Sequence, residues 1–257
     1  MSKISDNPEP LILAIETATR AGSVALARGR EILWSASGDA SASHSTNLID
    51  MVEKGLQSTG TKLSEVDLFA AAVGPGSFTG VRIGLATIKS FAVCAGKRCA
   101  GVSTLAAIAH AAGASEHTVS LLPAGRGELF AQLFLVRDGQ ARELDAAAHL
   151  APKAILERYG EMSDLIWAGD GAHQHAAALH EWAKARRLSF KERTSDSSSQ
   201  APPGWSLAPA TDQLAISIAA LALDVYQSGN TVSPGELQAV YVRASDAEIN
   251  EQCQHKK

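Results

Sequence analysis

Gly74-Pro75-Gly76-Ser77-Phe78-Thr79-Gly80-Val81-Arg82-Ile83-Gly84 is the stretch that decides how this chain is read. It follows an apolar run, Leu68 to Val73, and opens a segment of helical spacing from about Thr79 to Ala95. Four glycines in eleven positions describe a backbone that turns sharply and then comes very close to something, since only glycine lacks the Cβ that would prevent either. A phosphate and a second helix are the two candidates. A phosphate loop needs G-x-x-x-x-G-K-[ST], but Val81 follows Gly80 and the nearest lysine downstream is Lys89. The dinucleotide fingerprint belongs to a first strand–helix turn, and this one follows a fourth strand. A nucleophile elbow, G-x-S-x-G, is excluded by the offsets of Gly76 and Gly80 around Ser77. The favoured reading is a tight turn followed by a helix whose Gly80 and Gly84 share a face that admits another helix.

Working outward, Leu11 to Glu16, Ser23 to Ala27 and Glu31 to Ser35 read as a three-stranded meander. A helix capped by Ser43 or Ser45 runs to about Ser58, with Leu48, Ile49, Val52 and Leu56 on one face. Leu68 to Val73 is apolar without a break, the mark of a strand buried on both faces. Arg98 to Val102 reads as a fifth strand and Thr104 to Ala112 as a helix. The order β-β-β-α-β-α-β-α resembles the core of the α/β actin-like ATPase fold (sugar kinase, heat-shock and actin), which normally occurs twice in a chain. The second half reads as a degenerate copy. Thr118 to Leu122, Leu129 to Arg137 and Leu165 to Ala168 are its strands. Pro152 to Tyr159, Ala172 to Arg187 and a helix capped by Thr211 and reaching Gln227 are its helices. The expected lobes are 1–112, with the C-terminal helix returning to it, and 113–243. A Ser/Pro-rich loop spans 194–203, and a polar tail at 244–257 is expected to lack fixed structure.

Composition narrows the function classes. A net charge of −4 without a basic stripe argues against nucleic-acid binding by this chain alone, because phosphate contacts need clustered Lys and Arg. Three cysteines, Cys94, Cys99 and Cys253, form no disulfide framework and fit a reducing compartment. No secretory leader and no apolar run of bilayer length is read, so the chain is expected in the cytoplasm, away from membranes. His173, His175 and His180 are the tightest histidine group, but no carboxylate or thiol completes a metal set. In actin-like ATPases the first hairpin turn is a phosphate loop carrying an aspartate. Here Glu16 stands near that place, with Thr17 and Thr19 after it. Its amides form a possible anion nest, although the longer carboxylate is poorly placed for a metal-bound water.

The glycine-rich stretch, with the strand before it, is similar to the signature of the TsaB (YeaZ) family. Leu13-Ala14-Ile15-Glu16-Thr17, His44-Ser45 with Leu48, Gly169-Asp170-Gly171-Ala172, and Ala239-Val240-Tyr241-Val242-Arg243 with Asp246-Ala247-Glu248 support the resemblance across most of the chain. Two departures stand out: family members usually have aspartate where Glu16 stands, and an Asp-Ala-Arg stretch where this chain has Pro123-Ala124-Gly125. The resemblance implies a subunit needed for threonylcarbamoyladenosine at position 37 of tRNA. Its expected partners are the metal-bearing paralogue TsaD, the small ATPase TsaE, and a second copy of itself. The paralogue's N-H-L-E-G-H, whose histidines hold the metal, corresponds here to Ser103-Thr104-Leu105-Ala106-Ala107-Ile108. Thr104 and Ile108 cannot ligate a metal, so a non-catalytic scaffold is implied, with no metal or intrinsic cofactor. ATP or ADP, if bound, belongs at the interface of the complex, and tRNA is met only through it. The expected interface consists of His44, Leu48, Ile49, Val52, Leu56, Gly80, Arg82, Gly84 and Ile88. The rival is a small-molecule kinase or ATPase of the same fold, for which Gly169-Asp170-Gly171 would be part of the site.

Overall fold

The computed structural model of the chain describes residues 9–38, 44–194 and 204–242, the side chains of 44–47 excepted. The side chain of His44, residues 195–203 of the Ser/Pro-rich loop and the tail expected at 244–257 therefore lie outside the described residues.

In chain order the elements are β1 (Leu11–Glu16), β2 (Ser23–Arg28), β3 (Glu31–Ser37), α1 (His44–Thr59), β4 (Leu68–Gly74), α2 (Phe78–Ala95), β5 (Arg98–Ser103) and α3 (Thr104–Ala111). There follow β6 (Ser115–Gly125), β7 (Glu128–Arg137), β8 (Gln140–Glu143), β9 (Ala148–Leu150), α4 (Pro152–Tyr159) and β10 (Leu165–Ala168). The last are α5 (Asp170–Gln174), α6 (Ala176–Ala185), β11 (Phe190–Glu192), β12 (Trp205–Leu207) and α7 (Leu214–Gln227).

The described residues among 1–73, 82–102 and 212–238 form one compact unit, and those among 74–81, 103–211 and 239–257 a second. The sheet of the first unit has the order β3-β2-β1-β4-β5. β1 pairs with β2 antiparallel, Leu11 opposite Arg28 and Glu16 opposite Ser23, and with β4 in parallel. Every residue of β1 and β4 is buried, as strands covered on both faces require. Helix α1 lies along β2 and β3, and α7 along β1 and β2. The first turn of α7 is not capped by Thr211 as its sequence suggested. The helix begins at Leu214, and the Oγ of Ser23, on β2, accepts the N–H of Ala215 at 2.9 Å. A tertiary neighbour has taken over the task of a local cap.

The second unit repeats the arrangement with more strands: β11-β12-β10-β6-β7-β8, with β9 also on β7. β6, β7 and β8 form an antiparallel ladder, while β10 and β12 extend from β6 in parallel. Both units thus carry the three-strand meander followed by parallel strands of the actin-like ATPase fold. The helix expected over 172–187 is interrupted at His175, whose backbone leaves helical geometry (φ −110°, ψ 14°). α3 packs on β6, β7 and β8, and the Oγ of Ser120 donates to the carbonyl of Leu105 at 2.8 Å. The core centres on Trp167 and Trp205, whose rings meet edge to face at 5.0 Å.

Asp145 braces this unit from one position. Its Oδ1 accepts the N–H of Leu133 at 2.8 Å, and its Oδ2 accepts both Arg158 Nη2 and the Tyr159 hydroxyl at 2.8 Å. Burial, together with this bond to a carboxylate, raises the Tyr159 phenol well above its ordinary range. Asp145→Ala strands a strand N–H and a half-buried hydroxyl. It should cost about 1–3 kcal/mol, against about 1 kcal/mol for Tyr159→Phe, which removes one bond. Urea unfolding of both variants measures the difference, and equal losses would contradict the bracing role.

Candidate functional site

The turn after β1 is closed by its own carboxylate. Glu16 is fully buried; its Oε1 accepts the N–H of Thr19 at 2.7 Å and its Oε2 the hydroxyl of Thr19 at 2.6 Å. Thr17 and Thr19 are buried as well. The extra methylene of glutamate lets the side chain reach three residues ahead and fasten the turn. That contact takes up an amide that an anion nest would have needed.

The signature turn and α2 come next. Ser77 caps the helix: its Oγ accepts the N–H of Gly80 at 3.2 Å and its carbonyl the N–H of Val81 at 2.9 Å. Gly74 has φ +106°, in the region that favours glycine, and a Cβ there would stand 2.7 Å from the carbonyl oxygen of Val240. One and a half turns into the helix, a Cβ on Gly84 would collide with the Oγ1 of Thr17 and touch Ile15. The close approach foreseen from the glycine spacing is real, but at Gly84 the neighbour is the chain's own β1 and not another helix. Ile88 is fully buried, and the ring of Phe91 meets that of Phe69 on β4 at 6.5 Å.

The expected interface residues therefore divide. Leu48, Val52, Gly80, Gly84 and Ile88 are buried within the chain, and Leu56 is half-buried. Within the chain these positions face inward, against its own elements. Arg82 is exposed, and Ile49 is 50% exposed. Sequence reading missed Val93, 68% exposed, which follows Arg82, Ala86 and Ser90 along the outward side of α2. An apolar residue three positions beyond Ser90, on the same side of the helix as the exposed Arg82, Ala86 and Ser90, was the available signal. α2 is apolar and long enough to cross a membrane by length and composition, contrary to the expectation from the sequence, and 33% of its residues are buried. It carries Arg82 and Lys89 and lays its other side on β1 and β4.

In the second unit Thr104 and Ile108, on α3, are buried in the core. Ser103 caps that helix through the N–H of Ala106. Gly169 (φ +90°) ends β10 and lies against the Leu121 carbonyl. Asp170 follows it half-buried; desolvation raises its carboxyl above the ordinary range, and His173 pulls it the other way. Pro123-Ala124-Gly125 closes β6 with a register shift before the turn at Arg126 and Gly127, both at positive φ. His173 lies on α5 and His180 on α6, with His175 at the break between them. Among the described residues no three His, Cys, Asp or Glu side chains gather as a metal site would require.

Two measurements probe this geometry. Gly84→Ala gains about 1 kcal/mol of helix propensity, but forcing a methyl into the Thr17 contact costs about 1–3 kcal/mol. The variant should unfold at lower urea than the parent; a rise in the midpoint would mean the contact is loose. For Asp170, a folded pKa above the unfolded one means stability that is full at low pH and lost as pH rises through the folded value. Asp170→Asn lacks that loss, so its stability relative to the parent should increase from about pH 3.5 to 7 in parallel urea titrations.

Comparison with known proteins places these features. A model of the family described as TsaD, tRNA N6-adenosine threonylcarbamoyltransferase, matches residues 38–229. The tRNA threonylcarbamoyladenosine biosynthesis protein TsaB of Escherichia coli is 29% identical over 244 residues, 90% of this chain and 94% of that protein. Its namesake in Haemophilus influenzae is 34% identical over 123 residues, 46% of this chain and 51% of that protein. Among solved structures, a Pseudomonas aeruginosa protein described as similar to peptidase YeaZ superposes with TM-score 0.72 at 27% identity, over 91% of this chain and all of its own. With its two actin-like units and its capped, glycine-bearing α2, the chain belongs to the TsaD family, in its TsaB (YeaZ) branch.

Proposed function

We propose that this chain is a non-catalytic subunit of the machinery that makes threonylcarbamoyladenosine at position 37 of tRNA. It would work in the cytoplasm by pairing with and activating a TsaD-type subunit that holds the metal. The observation that carries this reading is the outward side of α2. Val93 and Cys94 are exposed there beside Ala86 and Ser90, and Ile49 is exposed on α1. An apolar helix with apolar residues left exposed along one side has surface to give to a partner. A specific pair buries about 1,600 Å² in total, and two helices per subunit can supply it. The same face would serve a second copy of the chain when the partner is missing. A TsaE-type ATPase, and ATP or ADP, belong to the assembled complex, and tRNA is reached through the partner.

The chemistry of the chain's own residues agrees. Thr104 and Ile108, which stand where the paralogue is expected to carry its metal-binding histidines, are core residues of the second unit. The carboxylate at the first phosphate-loop position is bonded to Thr19, so a kinase-like use of that loop has little support.

Val93→Glu and Ile49→Glu place charges on the exposed sides of α2 and α1 without touching the core. Each should weaken association with a purified TsaD-type subunit by about ten-fold or more, since charge is costly at the centre of an interface. Melting temperatures of the isolated variants should stay within about 2 °C of the parent, as for ordinary surface changes. Wild-type affinity in both variants by calorimetry would remove the exposed sides of α1 and α2 from the complex.

A further inference from the structure

The glycines of the signature stretch answer to two different neighbours, and only one of them is the sheet. Gly84 makes room for Thr17. Gly74 makes room for the carbonyl of Val240, in the segment that follows Leu237 near the end of the described chain. Leu237 is buried and lies close to Gly101. Beyond Val240, the ring of Tyr241 tilts at 36° over that of Phe78 with centroids 5.4 Å apart. Phe78 is the first residue of α2, and the turn's cap, Ser77, precedes it. Tyr241 and Phe78 are 49% and 39% exposed, so each ring is the other's cover on a surface that otherwise faces water.

We infer that residues 239–242 are a strap that seats on the signature turn and holds the first turn of α2 in place. The absent side chain at Gly74 provides the seat, and the Phe78–Tyr241 ring pair is the clasp. The strap thereby governs how firmly α2 is presented to whatever docks on its outward side. That last consequence rests on the proposed function, whereas the strap itself does not.

The test is hydrogen exchange on the full chain at the amides of Gly80 and Val81, which Ser77 protects. Tyr241→Ala should speed exchange at these two amides by about ten-fold, the scale on which an aromatic pair acts. Amides from Leu85 onward in α2 should be unaffected. Tyr241→Phe, which keeps the ring, should exchange as the parent does. Unchanged exchange in Tyr241→Ala, or equal acceleration along the whole helix, overturns the strap. In the same variant, affinity for a TsaD-type subunit should fall about five-fold. Faster exchange with unchanged affinity overturns the strap's role in docking. A parent chain that does not bind such a subunit at all overturns the proposed function and leaves the exchange result standing.

Discussion

Helix α2 lies where it does because position 84 has no side chain. The Thr17 hydroxyl occupies the space that a Cβ would need, so the helix settles close on the end of β1 and its rotation about its own axis is set. Ile88 and Phe91 then fall on the sheet, and Arg82, Ala86, Ser90 and Val93 fall outward. Interiors are packed too densely to absorb a displaced helix locally. A shift at this contact would therefore move the inward residues off the sheet and re-aim the outward ones together.

The second unit reaches order by other means. Its sheet carries the same meander-then-parallel plan as the first, yet its helices are short: eight residues in α4 and five in α5. Helices of that length are marginal by themselves, and the unit is held instead by polar braces and by two buried indoles. Asp145 fastens β7 to α4 through Leu133, Arg158 and Tyr159. Trp205 is fixed by its N–H to the Met162 carbonyl at 2.8 Å as well as by Trp167.

Much of this was legible in the sequence. Unbroken apolar runs such as Leu11–Ile15 and Leu68–Val73 gave the buried strands to within a residue, because burial on both faces leaves no polar alternation to misread. β11 and β12 were missed: three residues each is too short for any periodicity. The cap of α7 could not be found locally, since Ser23 lies nearly two hundred residues upstream of the amide it accepts. The glycine spacing of α2 announced a close approach but not the neighbour, as a strand end and a second helix impose the same demand for a missing Cβ. Charge spacing alone also gave no hint that Glu16 would turn back on Thr19. The exposed Val93 was hidden by its company, one more apolar residue in an apolar helix.

The fastening of Glu16 to Thr19 has a thermodynamic corollary. In a nucleotide-gripping loop, order is borrowed from the ligand, and the loop's conformation follows ligand concentration by mass action. A turn that carries its own internal buckle brings part of that order with it from folding. Helix α2, resting on that turn through Gly84, accordingly stands on a foundation that the chain fastens by its own side chains.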